Sequence, residues 1–349
     1  MKKRFFQRVV LVAMAVVTTQ VAVAESWRIN HDQSTGAHFA SINEAMASEK
    51  VQDGDMLYLD AGCVLSDAQT ITKAVTVIGT GWGYSHLPYM PARIANQLYI
   101  NSAAKVVGIQ ITNNIYPNHA DIVLERCHIT GIVRSQERTN SNPNLQVLSC
   151  YLANGNLDGG NSANSTGWKI YNTYIYRYVN GSDYPCITNL SDATIVNCYL
   201  RKAYHDSWLR FHVLQYVDNS LIKNNIILNT QHDQYKNWIL NGSNNNISNN
   251  VFSADSTSAY VTGNYCVGST STSAALGTGG TWLKLGEDSP GKGFGENGID
   301  CGPGAEGSLY PFVENGMPQY VHYPATMAVP TRPTDDKVSV KLQIVNQDK

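Results

Sequence analysis

Leu124-Glu125-Arg126-Cys127-His128-Ile129 decides the fold, because the chain keeps returning to it. The pattern recurs as Val147-Leu148-Ser149-Cys150-Tyr151-Leu152, Ile170-Tyr171-Asn172-Thr173-Tyr174-Ile175 and Ile195-Val196-Asn197-Cys198-Tyr199-Leu200. Ile222-Lys223-Asn224-Asn225-Ile226-Ile227 and Ile247-Ser248-Asn249-Asn250-Val251-Phe252 follow, at steps of 23, 23, 25, 27 and 25 residues. Each copy reads aliphatic, two mostly polar residues, a small Cys, Thr or Asn, one further residue, then an apolar one. That is too brief for a helix and suits a short strand bounded by Asn, Gly and Ser. Such a strand cannot bury its inner face alone. Stacked copies about 4.7–4.9 Å apart can, which predicts a parallel β-solenoid. A β-sandwich would turn every 8–12 residues or so without this echo, and the Leu and helix pattern of a leucine-rich repeat is missing.

The period also assigns most of the cysteines. Cys127, Cys150, Thr173, Cys198, Asn225 and Asn250 share one position, so they should form an inward ladder of small side chains, with Asn bonded rung to rung. A Cys127–Cys150 disulfide is compatible with rung spacing, although the Thr and Asn equivalents need no sulfur. A weaker copy, Val106 to Ile111, precedes the series, and Val261 to Cys266 extends it. Upstream, Phe39 to Met46 carries apolar residues at helical spacing, and the Gly54-Asp55 turn leads into the strand Met56 to Leu59. A short helix there suits an N-terminal cap over the first coil. Beyond Gly302, five prolines between Pro311 and Pro333 punctuate the chain, and Val338 to Ile344 alternates like a half-buried strand.

Residues 1–24 read as a secretory leader: Lys2, Lys3 and Arg4 precede an apolar stretch centred on Val9 to Val17, and Ala22-Val23-Ala24 offers a small-x-small cleavage pattern. The apolar core is too short to span a bilayer. The organisation expected is a leader (1–24), a capped β-helix (25–302) and an irregular tail packing on the solenoid (303–349). A chain only 15% charged and 43% hydrophobic, with net charge -2, is neither disordered nor a nucleic-acid binder that works by overall basicity. The expectation is a secreted or periplasmic monomer with no membrane insertion and no nucleic-acid partner.

The cap pattern Phe39 to Met46, the Gly54-Asp55 turn, Val75 to Gly81 and the Ile222-Lys223-Asn224-Asn225-Ile226-Ile227 type of rung together resemble bacterial right-handed parallel β-helix proteins of the pectate-lyase-like superfamily. Ser289-Pro290-Gly291-Lys292-Gly293 with Asn297-Gly298-Ile299-Asp300-Cys301-Gly302 is similar to the segment that closes the last coils in many of them. The resemblance covers about residues 37–302 and implies the all-β, right-handed parallel β-helix. It carries over no catalytic residue. The polygalacturonase strings Asn-Thr-Asp and Gly-His-Gly, the pectin-esterase string Gln-Asp-Thr-Leu and the pectate-lyase string Trp-Ile-Asp-His are all absent, Tyr204-His205-Asp206-Ser207-Trp208 standing nearest to the last.

Chemistry is therefore sought in ionisable residues that recur at one offset. His205-Asp206 lies seven and eight residues after Cys198, and His232-Asp233 lies seven and eight after Asn225; Asp158 and Arg134 hold the matching positions after Cys150 and Cys127. If register persisted through the turns, these would form one column. Arg201, Lys202, Arg210, His212 and Lys236 add positive charge around it, and Tyr204, Trp208, Tyr235 and Trp238 add aromatic faces. This mixture suits an acidic sugar polymer: cations pair with uronate carboxylates, aromatics stack on sugar rings, and Asp206 and Asp233 could bind Ca²⁺. His205, Asp206, Arg210, His232, Asp233 and Lys236 would carry a lyase step, a base removing the proton beside the carboxylate while positive charge stabilises the anion. Arg134, Asp158, Arg201, Lys202, Tyr204, Trp208 and Tyr235 would bind substrate. A hydrolase would need paired carboxylates, for which Asp158, Asp206 and Asp233 are the aligned candidates. The alternative is a non-catalytic glycan-binding or adhesive solenoid.

Overall fold

The computed structural model describes residues 24–82, 90–134, 143–160, 165–178, 184–203, 211–230, 232–312, 316, 323–328 and 341–345. The leader expectation falls, but for its last residue, outside this set. Among the described residues the chain winds through three parallel sheets of ten, ten and eight strands, each coil giving one strand to each sheet. Val123–Glu125, His128–Ile129 and Ile132–Arg134 make one such coil. The sequence echo is the spatial register: Leu124 lies opposite Val147, Val147 opposite Ile170, Ile170 opposite Ile195, Ile195 opposite Ile222 and Ile222 opposite Ile247. The weaker copy at Val106 joins the same column, and Tyr265–Cys266 adds a last strand to the second sheet.

The core has three walls because the inward residues alternate with outward ones. Leu124, Val147 and Ile170 come from the first sheet, Ile129, Leu152 and Ile175 from the second, and Val133, Leu157 and Ile187 from the third; all are fully buried. Each such side chain stabilises the stack by about 1.5–3 kcal/mol. Between the first and second sheets the chain bends on a single residue in left-handed backbone: Gly108, Arg126, Ser149, Asn172, Asn197, Asn224 and Asn249, with φ between 47° and 64°. Asn recurs there because its short polar side chain tolerates this conformation.

The next residue in every coil is the ladder position, and all six of its members are fully buried. Asn225 Oδ1 accepts from the Cys198 amide at 2.8 Å, and Asn250 Oδ1 accepts from both the amide and Nδ2 of Asn225 at 2.9 Å. Asn264, whose Oδ1 accepts from Asn250 Nδ2 at 2.8 Å, adds the rung that the copy Val261 to Cys266 places at its fourth position. All seven cysteines are free. The Cys127–Cys150 bond does not form, because each thiol turns to backbone carbonyls, those of Val106 and Glu125 for Cys127 and those of Leu124 and Leu148 for Cys150. Burial pushes the Cys198 thiol up to about 12, so it is an inert packing group.

Upstream, Ile42–Ala47 forms a helix whose Ser41 hydroxyl accepts from the Glu44 amide and whose Ile42, Ala45 and Met46 enter the core. Downstream, the segment Ser289 to Gly302 lies against the last coils from outside, with Cys301 Sγ donating to Asn249 O and the Gly302 amide to Asn224 O. Residues 267–312 turn back as a strap along the outside of the solenoid. Asn249 Nδ2 donates to Phe294 O, Asn224 Oδ1 accepts from the Glu296 amide, Asn172 Nδ2 donates to Pro303 O and Ser308 Oγ, and Ser149 Oγ donates to Tyr310 O. The corner residues thus form a second ladder, facing outward, that receives the strap. On the outer face of the second sheet, Tyr151, Tyr174 and Tyr199 stack at 4.6 and 5.3 Å, and Leu276, Trp282 and Leu285 of the strap cover them and Ile226. This is a second apolar core. Near the C-terminus Tyr323–Ala328 pairs antiparallel with Lys341–Val345, a strand within and just past the alternating stretch.

Candidate functional site

The third sheet is the one whose connections to its neighbours vary most in length. In the coils of Cys127 and Cys150 the second and third sheets are joined by two residues, as at Asn154-Gly155, while residues 135–145 and 159–168 run from the third sheet to the next coil. From the coil of Thr173 onward the arrangement reverses. Residues 178–186, 203–213 and 230–239 now precede the third sheet, and the exits shrink to 192–193, 219–220 and 242–245. The coil length barely changes, so the switch is invisible in the period.

This switch breaks the expected column. Arg134 lies opposite Asp158 in the third sheet, and Asp158 is followed by Thr188, Gln215 and Asn241. His232 and Asp233 instead sit in the excursion before the third sheet, where His232 Nδ1 accepts from the Gln234 amide at the start of the turn Asp233–Tyr235. Equal offset from the ladder therefore does not mean equal position. Tyr204, His205, Asp206, Trp208 and Arg210 lie outside the described residues.

The remaining candidates divide by burial. Asp158 is buried and accepts from the Gly160 amide at 2.8 Å and from Asn189 Nδ2 at 2.9 Å. Arg201, on the outer face of the second sheet, lies 5.0 Å from the Tyr176 ring and donates to Thr230 Oγ1. Lys202, expected at the surface, is 1% exposed: it is the next residue along the strand and so points inward, with Nζ donating to Phe211 O and lying over the Phe211 ring. Lys236 pairs with Asp255 at 2.8 Å, which raises its pKa through the hydrogen bond and the charge. Tyr235 packs edge-on against Trp238. Asp233 is exposed and accepts from Thr270 Oγ1. Ca²⁺ takes six to eight oxygens; the described residues form no cluster of three or more His, Cys, Asp or Glu side chains that could hold a metal ion.

Two residues that the sequence reading named only as flanking charge and aromatic face, His212 and Trp238, are brought together before the third sheet. His212 stacks on Trp238 with centroids 5.1 Å apart, and its Nδ1 lies 3.2 Å from Gln215 Oε1. Burial lowers its pKa below the ordinary histidine value. Gln215 Oε1 also accepts from the His212 amide, so Nδ1 carries the proton and Nε2 keeps a lone pair. Tyr178 and Tyr184, in the coil before, and Tyr216, on the third-sheet strand that follows His212, are exposed. Tyr216 has φ of 55°, a costly conformation for an aromatic residue, and lies at the same left-handed position in its strand that Asn189 holds one coil earlier. Nothing in the repeat marked Tyr216, because the period does not say which residue of a third-sheet strand takes the left-handed conformation. Compared with known protein families, with curated proteins and with solved structures, the chain has no significant match.

Proposed function

We propose that this is an exported right-handed parallel β-helix protein that binds an extended acidic polysaccharide along the outer face of its third sheet. The observation carrying the reading is the set of rings beside the third sheet: His212 stacked on Trp238, with exposed Tyr178 and Tyr184 in one coil and exposed Tyr216 in the next. Tyrosine rings offer stacking faces at successive rungs about 4.8 Å apart, a spacing that follows a polymer laid along the axis. Parallel crossovers are right-handed in about 98% of cases, which supports that hand here. The pectate-lyase-like resemblance and bacterial export belong to the same proposal.

A second reading adds cleavage, and His212 is what favours it. An imidazole held neutral by burial, with Nδ1–H fixed on Gln215, presents Nε2 as a base. In a β-elimination Nε2 would take the proton beside a uronate carboxylate, the electron pair would form the ring double bond, and the glycosidic oxygen would leave and be protonated by water. Calcium bound by Asp206 and Asp233 would offset the carboxylate charge. His205, Arg210, His232 and Lys236 remain proposed participants in that step, and Arg134, Asp158, Tyr204, Trp208 and Tyr235 proposed contacts.

The test is incubation of residues 25–349 with a panel of uronate polymers, with and without Ca²⁺, read by polymer retention and by product mass. Retention without new products supports the binding module. Unsaturated fragments, one water lighter than hydrolytic ones, support the lyase, and these should vanish in His212→Gln while retention persists. Tyr216→Ala should weaken retention about tenfold, the scale of one lost stacking contact. Failure of every uronate polymer to be retained would overturn the reading.

A further inference from the structure

Three successive second-sheet strands, Tyr174–Arg177, Tyr199–Lys202 and Ile226–Asn229, end on a buried polar residue. Arg177, Lys202 and Asn229 lie opposite one another in register, so they form one column. Each stands where an excursion leaves the sheet and reaches over to where that excursion returns. The Arg177 guanidinium lies 5.4 Å from the Tyr184 ring centre, Lys202 Nζ donates to Phe211 O at 3.2 Å, and Asn229 Nδ2 donates to Trp238 O at 3.2 Å. Burying such groups is costly. Their recurrence at one position points to a task there that an aliphatic side chain would not perform.

At Lys202 that task bears on the stacked pair of His212 and Trp238. The peptide between Phe211 and His212 is held at both ends: its carbonyl accepts from Lys202 Nζ, and its amide donates to Gln215 Oε1 at 3.2 Å. The same Gln215 oxygen takes the Nδ1 proton of the ring. One rung on, Asn229 holds the carbonyl of Trp238, on which the His212 ring stacks. Both rings of the pair are thus set by adjacent members of one column. A ring fixed at its own peptide presents its nitrogen in one place, as a proton-transfer group requires. Lys202 acts by charge as well. Burial is the main cause that lowers the His212 pKa; the bond to Gln215 opposes it and the Lys202 charge adds to it. Gln215 and Trp238, which also face the ring, are uncharged, and His205, Asp206 and Arg210 of the same excursion lie outside the described residues.

We infer that Lys202 is a positioning residue for His212: it holds the imidazole in place through the Phe211–His212 peptide and disfavours a second positive charge beside its own. Its use in catalysis rests on the reading of His212 as the base; the orientation of the ring does not.

The experiment uses the protein of residues 25–349 with ¹⁵N-histidine and no polymer, the ring signals of His212 being assigned by their loss in His212→Gln. In the parent they should report a proton on Nδ1 and a titration midpoint below the ordinary histidine value. Lys202→Gln keeps a donor for Phe211 O, as Asn229 does for Trp238 O, but loses the charge. The proton should therefore stay on Nδ1 while the midpoint rises. Lys202→Met keeps the stem and loses both functions, so the proton should divide between the two ring nitrogens. Lys202→Arg should restore the parent pattern, because the column already holds an Arg one rung earlier. On any uronate polymer that is cut, Lys202→Met should lower kcat about tenfold with KM unchanged, the scale of one lost hydrogen bond. If Lys202→Met, folded by its amide spectrum, leaves both the ring proton and the midpoint as they were, or if Lys202→Gln leaves the midpoint unmoved, the inference is overturned. Absence of cleavage with the ring signals as expected would remove His212 as a base while supporting Lys202 as the residue that orients it.

Discussion

Two corners of the same coil follow opposite rules. Between the first and second sheets the chain turns on one left-handed residue in coil after coil, and the ladder behind it keeps its register from Cys127 to Asn250. Between the second and third sheets the connection is two residues in the early coils and an excursion such as 203–213 in the later ones. The first corner is held by buried hydrogen bonds that tolerate no insertion. The second faces solvent, where added length costs little. Stability therefore resides at one corner and variation, with any function that needs it, at the other.

The sharpest way to break this contrast is to attack the ladder. Asn225→Leu strands the Cys198 amide and removes the side-chain donor to the Ile195 carbonyl. It should cost about 3–5 kcal/mol in urea denaturation, each orphaned group contributing about 1–3. A cost below about 1 kcal/mol would mean that the ladder does not hold the corner.

His128, the residue that follows the ladder position in its coil, sharpens the comparison through pH. Burial among Trp82 and Tyr151 lowers its pKa to about 4. Its folded value lies below the ordinary 6.5, so the unfolded chain binds the proton more tightly. The stability gained from a neutral imidazole is complete above pH 6.5 and is lost as pH falls toward 4, about 3 kcal/mol in all. His128→Phe should flatten that part of the stability–pH curve. A retained slope would assign it to other groups.

Cys150→Ala, which removes a sulfur but strands no donor of its neighbours, should cost about 1–2 kcal/mol, well short of Asn225→Leu. Smallest of all, Lys236→Ala in the excursion before the third sheet removes a solvent-screened pair with Asp255 and should leave the unfolding midpoint unchanged. A clear destabilisation there would contradict the view of that corner as structurally permissive.

The same physics explains what could be read in advance. The aliphatic pairs and the ladder were legible because buried positions repeat whenever the coil repeats. The predicted column was not, because Asp158 and Asp233 share an offset while the extra residues move from one border of the third sheet to the other. Lys202 was misjudged for a simpler reason: one step along a strand reverses the face, and Arg201, not Lys202, has the outward one. The strap was hidden because its apolar residues, Leu276, Trp282 and Leu285, have no period of their own and complement a tyrosine stack that exists only after coiling.

The strap alters the mechanics of the molecule. A bare solenoid touches only its nearest neighbours, so it can peel from an end one coil at a time, like a stack of coins sliding apart. Here Tyr310 is tied to Ser149, Ser308 to Asn172 and Glu296 to Asn224, which fastens the strap to coils laid down well before it. Pulling on that segment loads several rungs side by side rather than in succession. Under tension the protein should therefore resist as one unit and give way in a single large event, the behaviour of a laced seam rather than of a zip.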